Sequence, residues 1–174
     1  MINDVIIIHL HELTLKGKNR SWFEKILLSN LKIHLTNLKY KKINYVAGRI
    51  IIFNIDIDQQ EAYKIVLKSL IGIRNFIFAR HCDLDINIIK NEAVKLCKGI
   101  STPSGFRVSS RRQNKNFQYN STEIDMIVGE NICKHLEWPV RLKNPDINVM
   151  VEIINNDAYI GIQKIEAYGG LPVG

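Results

Sequence analysis

Residues 4–10, DVIIIHL, are almost wholly apolar and β-branched, the pattern of a strand buried on both faces. From Asn19 to about Leu35 the spacing becomes helical, with Phe23, Leu27 and Leu31 in one stripe and Trp22 and Ile26 beside it. Asn19 takes the N-cap position, and Trp22 and Phe23 read as core rather than as stacking platforms. Residues 42–46 and 49–55 are strands around Ala47-Gly48, hence a hairpin. Residues 58–71 form a helix with Ala62, Ile65, Val66, Ser69 and Leu70 facing inward, ended by Gly72, and residues 75–81 form another strand.

The pattern then restarts after Asp83-Leu84-Asp85. A helix over 87–100 aligns Ile89, Ala93, Leu96 and Cys97, and the turn cluster Ser101-Thr102-Pro103-Ser104-Gly105 follows it. Residues 106–112 alternate as a strand, with Phe106, Val108 and Ser110 on one face and Arg107, Ser109 and Arg111 on the other. Asn120-Ser121-Thr122-Glu123 supplies capping chemistry for a helix to about Leu136. Strands over 147–154 and 158–165 close around Asn155-Asn156-Asp157. The fold class is therefore α+β. Strand-helix-strand-strand-helix-strand is the ferredoxin-like order, and a second α/β unit follows it. The domain reading is 1–82 and 83–168, with 169–174 starting a linker.

Charge adds what periodicity cannot. The net charge of +7 is unevenly placed. Between Glu24 and Asp56 no acid opposes Lys25, Lys32, Lys39, Lys41, Lys42 and Arg49. Between Glu92 and Glu123 none opposes Lys95, Lys98, Arg107, Arg111, Arg112 and Lys115. Such stretches suit a surface that neutralises phosphates, although a merely solvated basic face reads equally well from charge alone. No apolar run reaches the roughly 18 residues of a membrane span and the start is not a secretory leader, so the expectation is a cytoplasmic protein without a membrane partner. Cys82, Cys97 and Cys133 lie far apart among apolar neighbours and read as buried structural thiols.

The segment HELTLKGKNRSWFEK, residues 11–25, is the most chemically loaded. It fails as a phosphate-binding loop, because Asn19 follows Gly17-Lys18 and Glu12 stands where the first Gly belongs. It fails as a zinc-protease helix, because Leu15 occupies the second His position. His9 and His11 share a strand face without further ligands at metal spacing. What is left is Lys16, Gly17, Lys18, Asn19 and Arg20 at a helix entrance: an anion-binding arrangement without a catalyst, or an ordinary capped loop. Arg111-Arg112, Lys115, Phe117 and Tyr119 interleave cations with aromatics, a stronger nucleic-acid signal. Lys143 could reach a phosphate from the turn Lys143-Asn144-Pro145-Asp146, where Asp146 fixes the loop, and Lys164 adds a cation on the last strand.

LTLKGKNRSWFEKIL, RRQNKNF, LKNPDINVMVEI and GGLPVG together resemble, in order and spacing, the N-terminal part of tRNA 4-thiouridine synthetases. The resemblance implies a ferredoxin-like domain followed by a THUMP domain, which bind tRNA at its acceptor stem and 3′ CCA end. In that family a separate catalytic domain, marked by a Ser-Gly-Gly-x-Asp-Ser loop, adenylates the uridine with ATP and transfers sulfur. No such loop lies within residues 1–174, so binding is implied here and catalysis is not.

Lys16, Lys18, Asn19 and Arg20 match the family's Lys-Gly-Lys-Asn-Arg. Arg112, Lys115 and Phe117 match its Arg-x-x-Lys-x-Phe, and Asn144-Pro145-Asp146 matches its turn. Arg107, Arg111, Lys143 and Lys164 complete the expected RNA-binding set. His9-Leu10-His11 replaces a basic residue, Tyr and Gly; Met150 replaces a frequent Arg, and Tyr168 a small residue. The expected partner is tRNA, with ATP and magnesium belonging to the catalytic domain and no cofactor in this chain. Two alternatives remain: a part of an active synthetase, either a fragment of a longer protein or a subunit working with a separate catalytic chain, or an adaptor delivering tRNA to another RNA-modifying enzyme. A homodimer is left open.

Overall fold

The computed structural model describes residues 2–11 and 17–168. Lys16 and the GGLPVG segment therefore lie outside the described residues. The chain forms two compact units, one built on Asp4–Phe78 and continued from Lys164, the other on Ala79–Gln163.

In the first unit the chain runs β1 (Asn3–Leu10), α1 (Arg20–His34), β2 (Lys42–Val46), β3 (Arg49–Phe53), a 3-10 turn (Ile57–Gln59), α2 (Gln60–Ser69) and β4 (Ile73–Asp83). The strand order β2-β3-β1-β4 is that of a ferredoxin-like sheet. β3 is antiparallel to both neighbours, with Ile6 opposite Ile52 and Val46 opposite Arg49. The hairpin turns where expected because Ala47 and Gly48 both take positive φ, as a two-residue primed turn requires. Ile6, Ile8, Ile50 and Ile52 pack with Leu27 and Leu31 from α1, Leu35 at its C-cap, and Tyr63 and Leu67 from α2. Each fully buried side chain of this size contributes about 2 kcal/mol of hydrophobic stabilisation.

Three expectations are corrected here. α2 buries Tyr63 and Leu67, whereas Ile65 is 72% exposed. Leu70 is buried and Val66 packs against the core as expected, but counting aliphatics missed Tyr63, whose buried ring has its hydroxyl donating to the Lys39 carbonyl and accepting from the Asp56 N–H. Trp22 is half exposed and meets the Phe23 ring in a T-shaped contact, so it is not a core residue. Asn19 stands before α1 but its side chain caps nothing, since its backbone (φ −93°, ψ 5°) is not in the extended form that aims a cap.

The second unit comprises the later part of β4, then α3 (Ile86–Cys97), β5 (Phe106–Arg112), α4 (Ser121–Leu136), β6 (Ile147–Ile154) and β7 (Asp157–Glu166), with strand order β4-β7-β6-β5. β5 and β6 are parallel, Phe106 opposite Ile147 and Arg112 opposite Ile153, so α4 is the crossover of a βαβ unit. β6 and β7 form an antiparallel hairpin. Ile89, Ala93 and Cys97 of α3 and Ile124, Val128 and Ile132 of α4 bury against Phe106, Val149, Val151, Ile153 and Ile160.

Local chemistry explains the helix starts. Asp85 accepts from the N–H groups of Asn87 and Ile88, and Asn120 and Glu123 form a reciprocal capping box. Residues 139–141 pass so close to β5 that a Cβ on Gly105 would fall 2.3 Å from Arg141 Cβ, which excludes any larger residue there. The α+β expectation holds.

Candidate nucleic-acid interface

The helix entrance of the first unit places Lys18, Asn19 and Arg20 at the surface. Arg20 is already engaged: its Nε donates to Glu24 Oε1 at 2.8 Å and its Nη2 to the Tyr45 hydroxyl at 2.9 Å. Only part of its fork remains for a phosphate. Lys164, on β7, is exposed in the same unit.

The remaining candidates belong to the second unit. Strand alternation separates the two adjacent arginines. Arg111 shares a face with Arg107 and Ser109, whereas Arg112 shares the opposite face with Val108 and Ser110, the side covered by α4. Arg111 is exposed. Arg112 is half-buried, and its Nη1 donates to the Phe117 carbonyl at 3.4 Å. Phe117 packs against the core and meets the edge of Tyr119, so its ring is structural in this conformation rather than presented to a base.

Arg107 Nη1 donates to the Leu142 carbonyl at 3.2 Å, which ties β5 to the segment bearing exposed Lys143 and Asn144. Asn144 takes a left-handed φ of 48°. Asp146 does fix this loop: the Ser104 N–H and hydroxyl both donate to its Oδ2, at 2.7 and 2.6 Å, and hold its carboxyl below the usual range. Ser109 Oγ donates to Asn148 Oδ1 at 2.8 Å on the Arg107 face.

Residues 113–116 join this region through contacts that sequence spacing did not reveal. The Gln113 N–H donates to the Ile153 carbonyl at 2.8 Å, and Asn114 Nδ2 donates to the Asn155 carbonyl at 2.7 Å. In return the Asn155 N–H donates to Gln113 Oε1 at 3.1 Å, while the Asn116 N–H donates to Asn114 Oδ1 at 2.8 Å. The only sequence signal was turn-forming Asn residues at both places, which says nothing about their pairing.

Asp125 on α4 lies against Ser110. Burial raises its pKa above the usual carboxylate value, and the Ser110 hydroxyl and N–H offset part of the rise. Neither Asp125 Oδ1 nor Ser110 Oγ completes a hydrogen bond of good geometry. Among the described residues no three His, Cys, Asp or Glu side chains gather as a metal site, and no helix is long and apolar enough to cross a membrane. His9 Nδ1 is 2.8 Å from Asn75 Oδ1, a partner within its own unit. Cys82 and Cys97 are buried thiols, with Cys133 partly so.

Comparison with known proteins places these surfaces in context. Residues 5–76 match the ThiI ferredoxin-like domain and residues 84–163 the THUMP domain. A probable tRNA sulfurtransferase of Thermoanaerobacter pseudethanolicus is 37% identical over 99% of this chain. The chain spans 45% of that relative's length, so about half of the relative has no counterpart here. The crystal structure of PH1313 from Pyrococcus horikoshii superposes with a TM-score of 0.86 at 35% identity, covering 98% of this chain and 58% of that one. A 4-thiouridine synthetase crystallised with RNA and ATP gives 0.81 at 29% identity, covering 99% and 44%. The chain thus carries, in order, a region matching the ThiI ferredoxin-like domain and a region matching the THUMP domain.

Proposed function

We propose that this chain binds tRNA, docking the acceptor stem and 3′ CCA end for 4-thiouridine formation by a catalytic domain that residues 1–174 do not include. One observation carries the reading: a chain that matches a 4-thiouridine synthetase crystallised with RNA over nearly its whole length sets its cations in acid-free stretches. Lys18, Arg111, Lys115, Lys143 and Lys164 are exposed and would neutralise phosphates. Arg107 and Arg112, each anchored to a backbone carbonyl, would act with less freedom. The chain contributes position and affinity, and the sulfur chemistry belongs elsewhere.

The deciding experiment is a titration of tRNA, with and without its CCA end, across a salt series. Affinity should fall steeply with salt, by orders of magnitude over a few-fold rise if several phosphates are neutralised. Removing CCA should weaken binding. Equal affinity for tRNA and an unrelated duplex at moderate salt would overturn acceptor-stem docking.

A further inference from the structure

The basic loop after β5 is not left to find its own shape. Gln113 and Asn114 sit between Arg112 and Lys115 in sequence, and both side chains reach the turn of the β6–β7 hairpin. Their bonds to Asn155 are reciprocal: Asn114 supplies a donor to its carbonyl and Gln113 an acceptor to its N–H. The Gln113 N–H on Ile153 and the Asn116 N–H on Asn114 Oδ1 close the arrangement on both sides. Asn155 uses only its backbone, held at a φ of 53° that Asn tolerates better than most residues.

Two uncharged side chains thus tie down the loop that carries Lys115, directly after Arg111 and Arg112 at the end of β5. Holding Lys115 on an ordered loop beside strand residue Arg111 lowers the conformational cost of placing it on a rigid polyanion.

We propose that Gln113, Asn114 and the Asn155 turn form a clasp that positions the basic loop for RNA. Gln113 and Asn114 are positioning residues that touch no phosphate themselves. This rests on the tRNA-binding reading above. A phosphate ligand and a positioning residue differ in one measurable way. Losing a ligand lowers the slope of log affinity against log salt, by about 0.7 to 0.9 per phosphate contact, whereas losing a positioning residue lowers affinity at constant slope.

The test uses the chain with Gln113→Ala, Asn114→Ala, Arg111→Ala, Lys115→Ala and Asn155→Gly, titrated with tRNA at several salt concentrations. The two clasp variants should bind about tenfold more weakly with the wild-type slope, as expected when one or two residues must be ordered on binding. Arg111→Ala and Lys115→Ala should each lower the slope. Asn155→Gly keeps both backbone partners and the positive φ, and should bind within about twofold of wild type.

Amide hydrogen exchange on the RNA-free variants supplies an independent readout. Protection of the Asn116 amide in Asn114→Ala and of the Asn155 amide in Gln113→Ala should be lost while the β5–α4–β6 core stays protected. Clasp variants that bind like wild type, or that lose slope, or that lose protection throughout the core, would overturn the proposal. Absence of salt-dependent binding by the wild type would instead overturn the tRNA reading beneath it.

Discussion

Arg20 donates to the Tyr45 hydroxyl at 2.9 Å across the gap between the start of α1 and strand β2. That bond, with the one to Glu24, makes Arg20 and Lys18 unequal although both stand at the same helix entrance. Lys18→Ala should lower tRNA affinity and reduce the salt slope by about one phosphate contact. Tyr45→Phe should leave the slope unchanged or raise it, because it releases a donor of Arg20. A salt series on both variants checks this, and a lower slope in Tyr45→Phe would contradict it.

Glu92 is 2% exposed and bonds Arg80 at 3.2 Å and Lys95 at 2.7 Å, both of which reach out toward solvent. Glu92→Ala leaves their charges without the carboxylate and opens a void beneath α3. A loss of about 2 kcal/mol is expected in urea unfolding, from the lost charge-assisted hydrogen bonds and packing, since the cations left behind can be solvated. A loss below about 1 kcal/mol would show that solvent already screens the network.

The raised pKa of Asp125 has a defined sign for stability. Its folded value exceeds the unfolded one because burial disfavours the carboxylate. Between those two values the folded state holds more protons than the unfolded state. Stability from this group is therefore complete below about pH 4, the unfolded value, and is lost as pH rises through the folded value. Asp125→Asn should flatten this decline and equal or exceed wild-type stability at pH 7. Urea unfolding of both proteins from acid to neutral pH makes the comparison, and parallel curves would remove Asp125 as the cause.

Burial pushes the thiol of Cys82 up to about 12 and that of Cys97 up to about 11. Both are fully buried, whereas Cys133 is only partly so. A thiol reagent at pH 8 should therefore label Cys133 slowly in the native protein and all three cysteines after denaturation. Fast native labelling of Cys82 or Cys97 would mean that the second unit opens readily.

Several elements were legible before any coordinates. The DVIIIHL strand, the Ala47-Gly48 hairpin, the Asn120/Glu123 capping box and the Asp146 loop anchor all occur as read. The first three depend on residues a few positions apart or on an uninterrupted apolar run, whereas Asp146 holds its loop through Ser104, 42 residues away. Along α2 and its end, Val66 and Leu70 meet the core as read, whereas Ile65 does not and Tyr63 does. A hydroxyl partner at Lys39, 24 residues away, decided in favour of Tyr63. Trp22 was misassigned because its spacing is compatible with the core stripe, yet its side chain stays half exposed.

Hydrophobic period, turn chemistry and acid-free charge runs are local, so the element order, the two α/β units and the inventory of cations were all available from residue order. How those cations can be used was not. Arg111 and Arg112 are neighbours in the chain, but the pleat sends them to opposite faces. Arg20 is engaged by Tyr45, and Arg107 by Leu142, 35 residues on. The loop between Arg112 and Lys115 is held by a turn about 40 residues downstream. Hydrogen bonds form between groups that folding brings within 3 Å, and strand pairing, not sequence spacing, sets which groups those are.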